Sequence, residues 1–391
     1  MESFSPTWAA YALVWVATVV IAHLSKHFHQ KKLNLPPGPR QWPIIGNLNL
    51  IGTLPHRSLH QLSLTYGPLM HLQFGSFPNS IVTPEEFRQM LDEVFLLTGV
   101  FNIGDFIPWI DFLDLQGYIK RMKILSKKFD RFLEHILDEH NAQRKDETDC
   151  VSKDMVDVLL GLADDPTLEV KLERHGVKAL ILDLLAGGTE TSATTVEWAI
   201  SELLKNPEIL NKAAEELDRV IGQNRWVNEK DMPNLPYIEA IVKETMRMHP
   251  VVPLLVPRCA REDCKVAGYD IQKGTRVIVN VWSIVRDPES WEKPEVFWPD
   301  RFMGKDIDFK GQDCKFLPFG AGRRMCPGYS LGLKVIQSSL ANLLHGYRWK
   351  LPNDMKPEDL DMEEIFGLTT PRKIPLVAIV EPRLPCNLYS L

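Results

Sequence analysis

The sequence predicts a mainly α-helical fold with a small β-sheet region, and three observations carry that reading. Apolar residues recur at helical spacing over long stretches, the longest covering residues 173–205. Strand-like alternation is confined to short pieces, at 69–77 and within 264–282. The composition is globular: 391 residues, 45% hydrophobic and 25% charged, enough to bury a sizeable core and unlike a disordered, collagen-like or coiled-coil chain.

Taken in order, residues 3–25 contain no Asp, Glu, Lys or Arg, and 8–24 are almost wholly apolar. As a helix, the uncharged stretch would span about 35 Å, enough to cross a hydrocarbon core of about 30 Å. A cleaved signal peptide needs positive charge ahead of the apolar run. Here Glu2 precedes it, and Lys26, Lys31 and Lys32 follow. The expectation is a transmembrane anchor over 1–25, its positive flank keeping the remainder cytosolic and the cysteines reduced. A basic and proline-rich linker over 26–41 follows, stiffened by Pro36, Pro37 and Pro39, and the folded domain is expected over 42–391.

Beyond the strand-like 69–77, residues 84–140 read as mostly helical, interrupted by the apolar, Gly- and Pro-containing stretch GVFNIGDFIPWI. Between 118 and 140, charged residues surround Ile119, Ile124, Leu125, Phe129, Phe132, Leu133 and Ile136, the pattern of an amphipathic helix. Residues 144–149 read as a short charged linker. The helical pattern over 173–205 runs almost unbroken to Asn206-Pro207; at roughly 45 Å it would cross the whole domain as its spine. Another helix is expected over 235–248, ended by His249-Pro250. The pieces KVAGYDI and TRVIVNVW, joined through Lys273-Gly274, read as strands. Residues 300–327 are irregular and glycine-rich, and 329–345 form a last amphipathic helix.

Lys+Arg 45 against Asp+Glu 51 gives a net charge of -6, which removes the basic excess of a nucleic-acid binder. Six cysteines in so long a chain do not make a disulfide framework, and no C-x-x-C pair argues for zinc. Most are expected to be buried thiols.

Cys326 stands apart. It follows Phe319-Gly320-Ala321-Gly322-Arg323-Arg324-Met325 and precedes Pro327-Gly328 and a helix. Unsatisfied N–H groups and the positive dipole end of a helix favour a thiolate there, a strong ligand for soft metals. Glycines at 320, 322 and 328 would allow positive φ and close approach to a flat cofactor. Arg324 could reach an anionic group on it, and Phe319 offers an apolar wall. Three other readings stand beside this one. Gly320-x-Gly322 could open a dinucleotide fingerprint, but Met325 fills the next glycine position and no βαβ unit surrounds it. Cys326 could be a nucleophile, though no accompanying motif supplies a base, or an inert core thiol.

The pattern F-x-x-G-x-R-x-C-x-G, filled by Phe319, Gly322, Arg324, Cys326 and Gly328, resembles the heme-binding signature of the cytochrome P-450 superfamily. Its five fixed positions match by chance in on the order of one chain in ten thousand. The resemblance implies the cytochrome P-450 fold, with heme as cofactor and the Cys326 thiolate as its axial metal ligand.

Other segments gain meaning from the resemblance. Glu244-x-x-Arg247 lies on one helix face, but Glu85-x-x-Arg88 and Glu216-x-x-Arg219 share the spacing. Order singles out the first: KETMRMHP precedes Arg301, which precedes the cysteine loop. In the family such a Glu-Arg pair and a later Arg form a buried ionic triad, here Glu244, Arg247 and Arg301; Asp300 stands where relatives often carry Glu. Ala186-Gly187-Gly188-Thr189-Glu190-Thr191-Ser192 resembles the oxygen-activation motif, an acid–alcohol pair at a distorted turn, and implies proton relay by Glu190 and Thr191. From the residues alone the lesser alternative is a helix that stops and restarts under a Thr or Ser cap. Residues 253–258 resemble a substrate-lining strand, with Leu254 and Leu255 in the pocket and Arg258 offered to a heme propionate. Gly367-Leu368-Thr369-Thr370 resembles a second lining turn, placing Leu368 and Thr369 in the pocket beside Gly187. Both segments could equally be ordinary loops.

The resemblance is interrupted. After the strand near Pro78, a relative would continue with a second strand and several helices, including one carrying Trp-x-x-x-Arg for a heme propionate. Here Pro78 runs directly into Asn79-Ser80-Ile81-Val82-Thr83-Pro84, which looks like a later region of the family, so roughly a hundred residues are absent by that comparison. Among the tryptophans only Trp282 has Arg four places on, at Arg286, and its position in the order excludes it from that role.

The implied activity is that of a membrane-anchored plant A-type monooxygenase, similar to flavonoid 3'-hydroxylases. It would take O2, a small-molecule substrate and electrons from NADPH-cytochrome reductase, in the endoplasmic reticulum membrane among its lipids, with the catalytic domain cytosolic. Lys315, Arg323 and Lys334 offer a basic patch for the reductase or an ordinary solvated surface. The alternative is a catalytically inactive truncated protein that retains no heme.

Overall fold

The computed structural model describes residues 84–146, 154–312, 314–365 and 367–389. The expected anchor, linker, first strand and Pro78-Asn79 junction lie outside these residues. Among the described residues no helix is long and apolar enough to cross a membrane.

Helix α1 (Pro84–Gly99) leads through a short turn, α2 (Ile103–Phe106), and a 3-10 turn (Pro108–Leu113) into α3 (Tyr118–Asp146). The amphipathic pattern thus continues as helix through residues expected in a charged linker, because nothing from 140 to 146 is Pro or Gly. Helix α4 (Met155–Ala163) starts under a reciprocal cap, Asp154 accepting from the Asp157 N–H at 3.0 Å and Asp157 from that of Asp154 at 3.2 Å.

Helix α5 (Arg174–Lys205) is the spine, about 48 Å long at helical rise. Its first turns pack Val177 and Ile181 against Leu133 and Leu137 of α3 and Val156 and Leu160 of α4. Its last turns bury Ala199, Ile200, Leu203 and Leu204 in a second, larger core. Between the two cores Asp183, Leu184, Gly187, Gly188 and Thr189 are exposed. No break occurs at the glycines, so the stop-and-restart reading and the distorted turn are both replaced by continuous helix. Cooperative hydrogen bonding from buried turns on both sides carries the helix across two weak formers.

The larger core is built by α6 (Pro207–Ile221), α7 (Pro236–Met248) and α9 (Tyr329–Gly346) around Leu217, Ile238, Ile241, Phe316 and Leu340. Glu216 of α6 is buried because its carboxylate accepts the free N–H groups that open α7, Tyr237 at 3.0 Å and Ile238 at 3.0 Å.

Among the described residues the named strands form three two-stranded antiparallel ladders. β1 (Arg258–Cys259) pairs with β4 (Arg276–Val277), β2 (Cys264–Val266) with β3 (Tyr269–Ile271), and β5 (Tyr347–Lys350) with β6 (Ile379–Pro382). KVAGYDI is therefore a hairpin rather than one strand: Ala267 and Gly268 take φ of 49° and 87°, the two-residue turn that folds a strand back on itself. The second piece is strand only over β4, and its Val281 and Trp282 enter the short helix α8 (Val281–Ile284), capped by Asn280.

The cysteines depart from expectation as well. Cys259, Cys264, Cys314, Cys326 and Cys386 are all exposed free thiols. They occupy thin ladders, the loop before α9 and a terminal turn, where one layer of chain cannot bury a side chain.

Candidate active site

The loop before α9 is fixed at one end by Phe316 and Leu317, both buried, and then turns sharply. Gly320 and Gly322 take φ of +70° and +74°, open to glycine at little cost. The turn returns the chain so that the Cys326 N–H donates to the Phe319 carbonyl at 3.0 Å, and the Phe319 ring lies edge-on to Tyr329 of α9. Gly328 differs from expectation. Its φ of -86° is ordinary, and it serves as the residue that caps α9. Cys326 thus stands just before the first turn of α9 with its thiol exposed.

An arginine reaches this loop from another element. Arg258 of β1 donates from Nη2 to the Arg324 carbonyl at 3.3 Å. Leu255, itself at φ 50°, lies 3.8 Å through its Cδ1 from where a Cβ on Gly320 would stand. Leu255, half-buried like Leu254, also packs with Val281, Val285 and Leu317. Of the three basic residues proposed for a partner face, Arg323 is exposed and Lys334 is paired with Glu229 at 2.6 Å.

Glu244, Arg247 and Arg301 come together in one buried network. Arg247 donates from Nε to Glu244 Oε2 at 2.8 Å and from Nη2 to Oε1 at 2.9 Å, and Arg301 Nε donates to Oε1 at 3.0 Å. The Trp298 N–H adds a fourth bond at 2.8 Å. Glu244 and Arg247 are 0% exposed and Arg301 4%. Their remaining N–H groups bind the carbonyls of Val285, Glu292, Lys293 and Val296, so the network also ties down the strandless stretch between α8 and the turn Pro299–Phe302. Asp300 takes no part in it and pairs with Lys212. Arg286 lies 4.2 Å over Trp282 and donates to the Met248 carbonyl at 2.5 Å, closing the end of α7.

On α5 the acid and the alcohol have different partners. The Thr191 hydroxyl donates to the Gly187 carbonyl at 2.7 Å, and Glu190 accepts from Thr194 at 3.3 Å. Burial pushes the Glu190 carboxyl above its ordinary value and nearby Asp92 adds to this, while the Thr194 hydrogen bond opposes them. A carboxyl of that kind keeps its proton to higher pH than a solvated one.

The segment 367–370, expected to line the pocket, is held from three sides. Leu368 N–H donates to the Phe95 carbonyl of α1 at 3.2 Å, Thr370 N–H to Val251 at 3.0 Å, and the Trp198 indole of α5 to the Thr370 carbonyl at 3.0 Å. Thr369 is buried and Leu368 half-buried. Trp198, Glu202 and His249, which interlock here, escaped the sequence reading. The recurrence of Trp198 and Glu202 at i and i+4, ahead of His249, was the available signal.

The donor set fits a heme. It joins one exposed thiol at a helix start, the Arg258 guanidinium at the backbone of the same loop, the exposed loop residue Arg324, and glycines at 187, 188 and 322 beside which a Cβ would meet nothing within 4 Å. Leu184 of α5 and Leu331 of α9 are large exposed apolar side chains on the two helices that flank such a group in the implied fold. Clefts of about 360 and 480 Å3 open elsewhere, one along α1, α3 and α5 at Leu97, Phe129 and Leu182, the other beside α3 at Phe112 and Lys123. Neither includes a residue of the cysteine loop or the lining segments.

Comparison with known proteins follows the same direction. The family model described as Cytochrome P450 matches residues 79–377. Trimethyltridecatetraene synthase of Zea mays is 40% identical, covering 97% of this chain and 94% of the relative. Flavonoid 3'-monooxygenase of Arabidopsis thaliana is 35% identical, covering 97% of this chain and 99% of the relative. A zebra fish cytochrome P450 structure with progesterone superimposes with a TM-score of 0.63 at 30% identity, covering 77% of this chain and 65% of that one. The alignment with the maize synthase runs over 523 positions against a chain of 391 residues, so more than a hundred positions of that relative have no counterpart here.

Proposed function

Because the chain belongs to the cytochrome P450 family, we propose that it is a membrane-anchored heme-thiolate monooxygenase that hydroxylates a small apolar or phenolic plant metabolite. One observation carries the reading: an exposed thiol, Cys326, held at the start of α9 by a glycine-turned loop whose Arg324 carbonyl receives the Arg258 guanidinium. When bound, the heme supplies the iron at which O2 is reduced, one oxygen atom entering a C–H bond and the other leaving as water with two electrons and two protons.

The chain's own residues divide the remaining work. Cys326 binds the iron through sulfur, favoured as thiolate by the N–H groups that open α9. Arg258 and Arg324 bind the anionic edge of the cofactor. The buried triad fixes the stretch between Val285 and Trp298. Glu190, its carboxyl raised by burial, holds a proton that Thr191 passes on once its hydroxyl leaves the Gly187 carbonyl. Leu254, Leu255, Leu368, Thr369 and the open flank of Gly187 line the substrate side.

The uncharged stretch at 3–25 and the lysines behind it support an anchor in the endoplasmic reticulum membrane, with the domain on the cytosolic side. A redox partner reductase is common to the family's monooxygenases; the NADPH-dependent type is the one that meets a membrane-bound body. Relatives named for a tetraene and for flavonoids support an apolar or phenolic substrate. The unmatched positions of the relatives are read as falling at Pro78-Asn79.

The test is the reduced carbon monoxide difference spectrum of the purified full chain. The wild type is expected to show the thiolate-type Soret band, and Cys326→Ser to lose it together with bound iron. Its absence from well-folded wild type would leave the heme-free alternative.

A further inference from the structure

A buried cluster joins three segments that the proposed reaction uses separately. The rings of Trp198 on α5 and His249, the residue ending α7, stack 3.9 Å apart with planes 5° from parallel. His249 Nε2 meets Glu202 Oε1 at 2.7 Å, so the imidazole is fixed both in its plane and at its edge. The other edge of Trp198 donates its indole N–H to the Thr370 carbonyl. Thr370 in turn donates from its hydroxyl to Pro250 at 3.1 Å and from its N–H to Val251, at the start of the segment leading to Leu254 and Leu255. Both lining segments are thus referred to one indole, two turns along α5 from Glu190 and Thr191.

We propose that Trp198 and His249 are positioning residues that set where the Leu368–Thr369 turn stands over the substrate, and so which C–H bond is presented for oxidation. This rests on the reading of the 367–370 turn as substrate-lining. Close approach makes the placement exacting. Across the same turn, a Cβ on Gly99 would stand 2.0 Å from the Leu368 nitrogen, so the turn is clamped between α1 and α5 and has no slack to absorb a lost bond.

The test uses Trp198→Phe, which keeps an aromatic ring and removes one donor, and His249→Phe, which keeps the stack and removes the Glu202 bond. Trp349→Phe serves as the control, since its indole also donates to a carbonyl, that of Leu343 at 2.9 Å, on β5 away from the turn. Hydrogen exchange of the peptide over 367–371 is read on all of them, and the product ratio with flavone as probe on those that show the thiolate spectrum. Expected are a three- to tenfold faster exchange at the turn in Trp198→Phe, a carbon monoxide spectrum equal to wild type, and a changed ratio of hydroxyflavones. The control should change none of these.

Unchanged exchange at the turn overturns the proposal. Faster exchange with a product ratio equal to that of the control also overturns it, leaving the cluster a packing feature only. If wild type lacks the thiolate spectrum, the functional reading fails and the substrate part of the proposal with it, while exchange still reports whether the cluster holds the turn.

Discussion

Replacing Glu244 by Gln changes one atom of the side chain and should cost more than any surface ion pair. The carboxylate accepts four hydrogen bonds at 2.8 to 3.0 Å, three from guanidinium groups and one from the Trp298 N–H. Both arginines are out of water, so the amide leaves two buried cations without a counter-charge and turns an NH2 toward one of their donors. Breaking a buried ion pair from one side costs about 3–5 kcal/mol, a large share of a typical net stability of about 5–15 kcal/mol. An exposed pair would cost at most about 1 kcal/mol.

Elsewhere, replacing a whole buried ionic set by apolar residues can be neutral. Here it should not be, because Arg247 and Arg301 also satisfy four backbone carbonyls between Val285 and Val296 that no Met or Leu can bind. Urea unfolding of the full chain measures both cases. Glu244→Gln should lower the midpoint by roughly 1 M or more at unchanged slope. The triple variant Glu244→Met, Arg247→Leu, Arg301→Met should also unfold earlier than wild type. A loss under about 1 kcal/mol for Glu244→Gln, or a triple variant as stable as wild type, would refute the reasoning.

Two further expectations concern stability. Gly346→Ala places a Cβ 2.4 Å from Trp226, whose ring is held by its bond to the Leu388 carbonyl and by Tyr389, so the helix-propensity gain of about 1 kcal/mol is outweighed by an overpacking cost of about 1–3 kcal/mol; thermal unfolding should show a net loss. His345 is buried with Nε2 toward the Arg225 carbonyl, and burial pushes its imidazole down from 6.5. The unfolded chain therefore binds that proton more readily, and the contribution of His345 is full above 6.5 and is lost as pH falls toward the folded value. Stability measured from neutral pH downward should fall less steeply in His345→Gln than in wild type, and equal slopes would contradict the assignment.

What the sequence determined by itself is local. A period of 3.6 residues is written into 118–140 and 173–205, the i, i+3 spacing puts Glu244 and Arg247 on one face, and the glycines around Cys326 mark a turn before a helix whatever lies beyond. These follow from dihedral preferences and neighbours within one helical turn. Tertiary structure decided what depends on reach across the chain. Arg301 meets Glu244 across 57 positions, and Trp198 binds Thr370 across 172. The glycines of α5 stay helical because buried turns on either side hold them. The five described cysteines are exposed because their segments have too little chain around them. A side chain's burial and partners are set by packing of the whole, and no window of neighbouring residues contains that information.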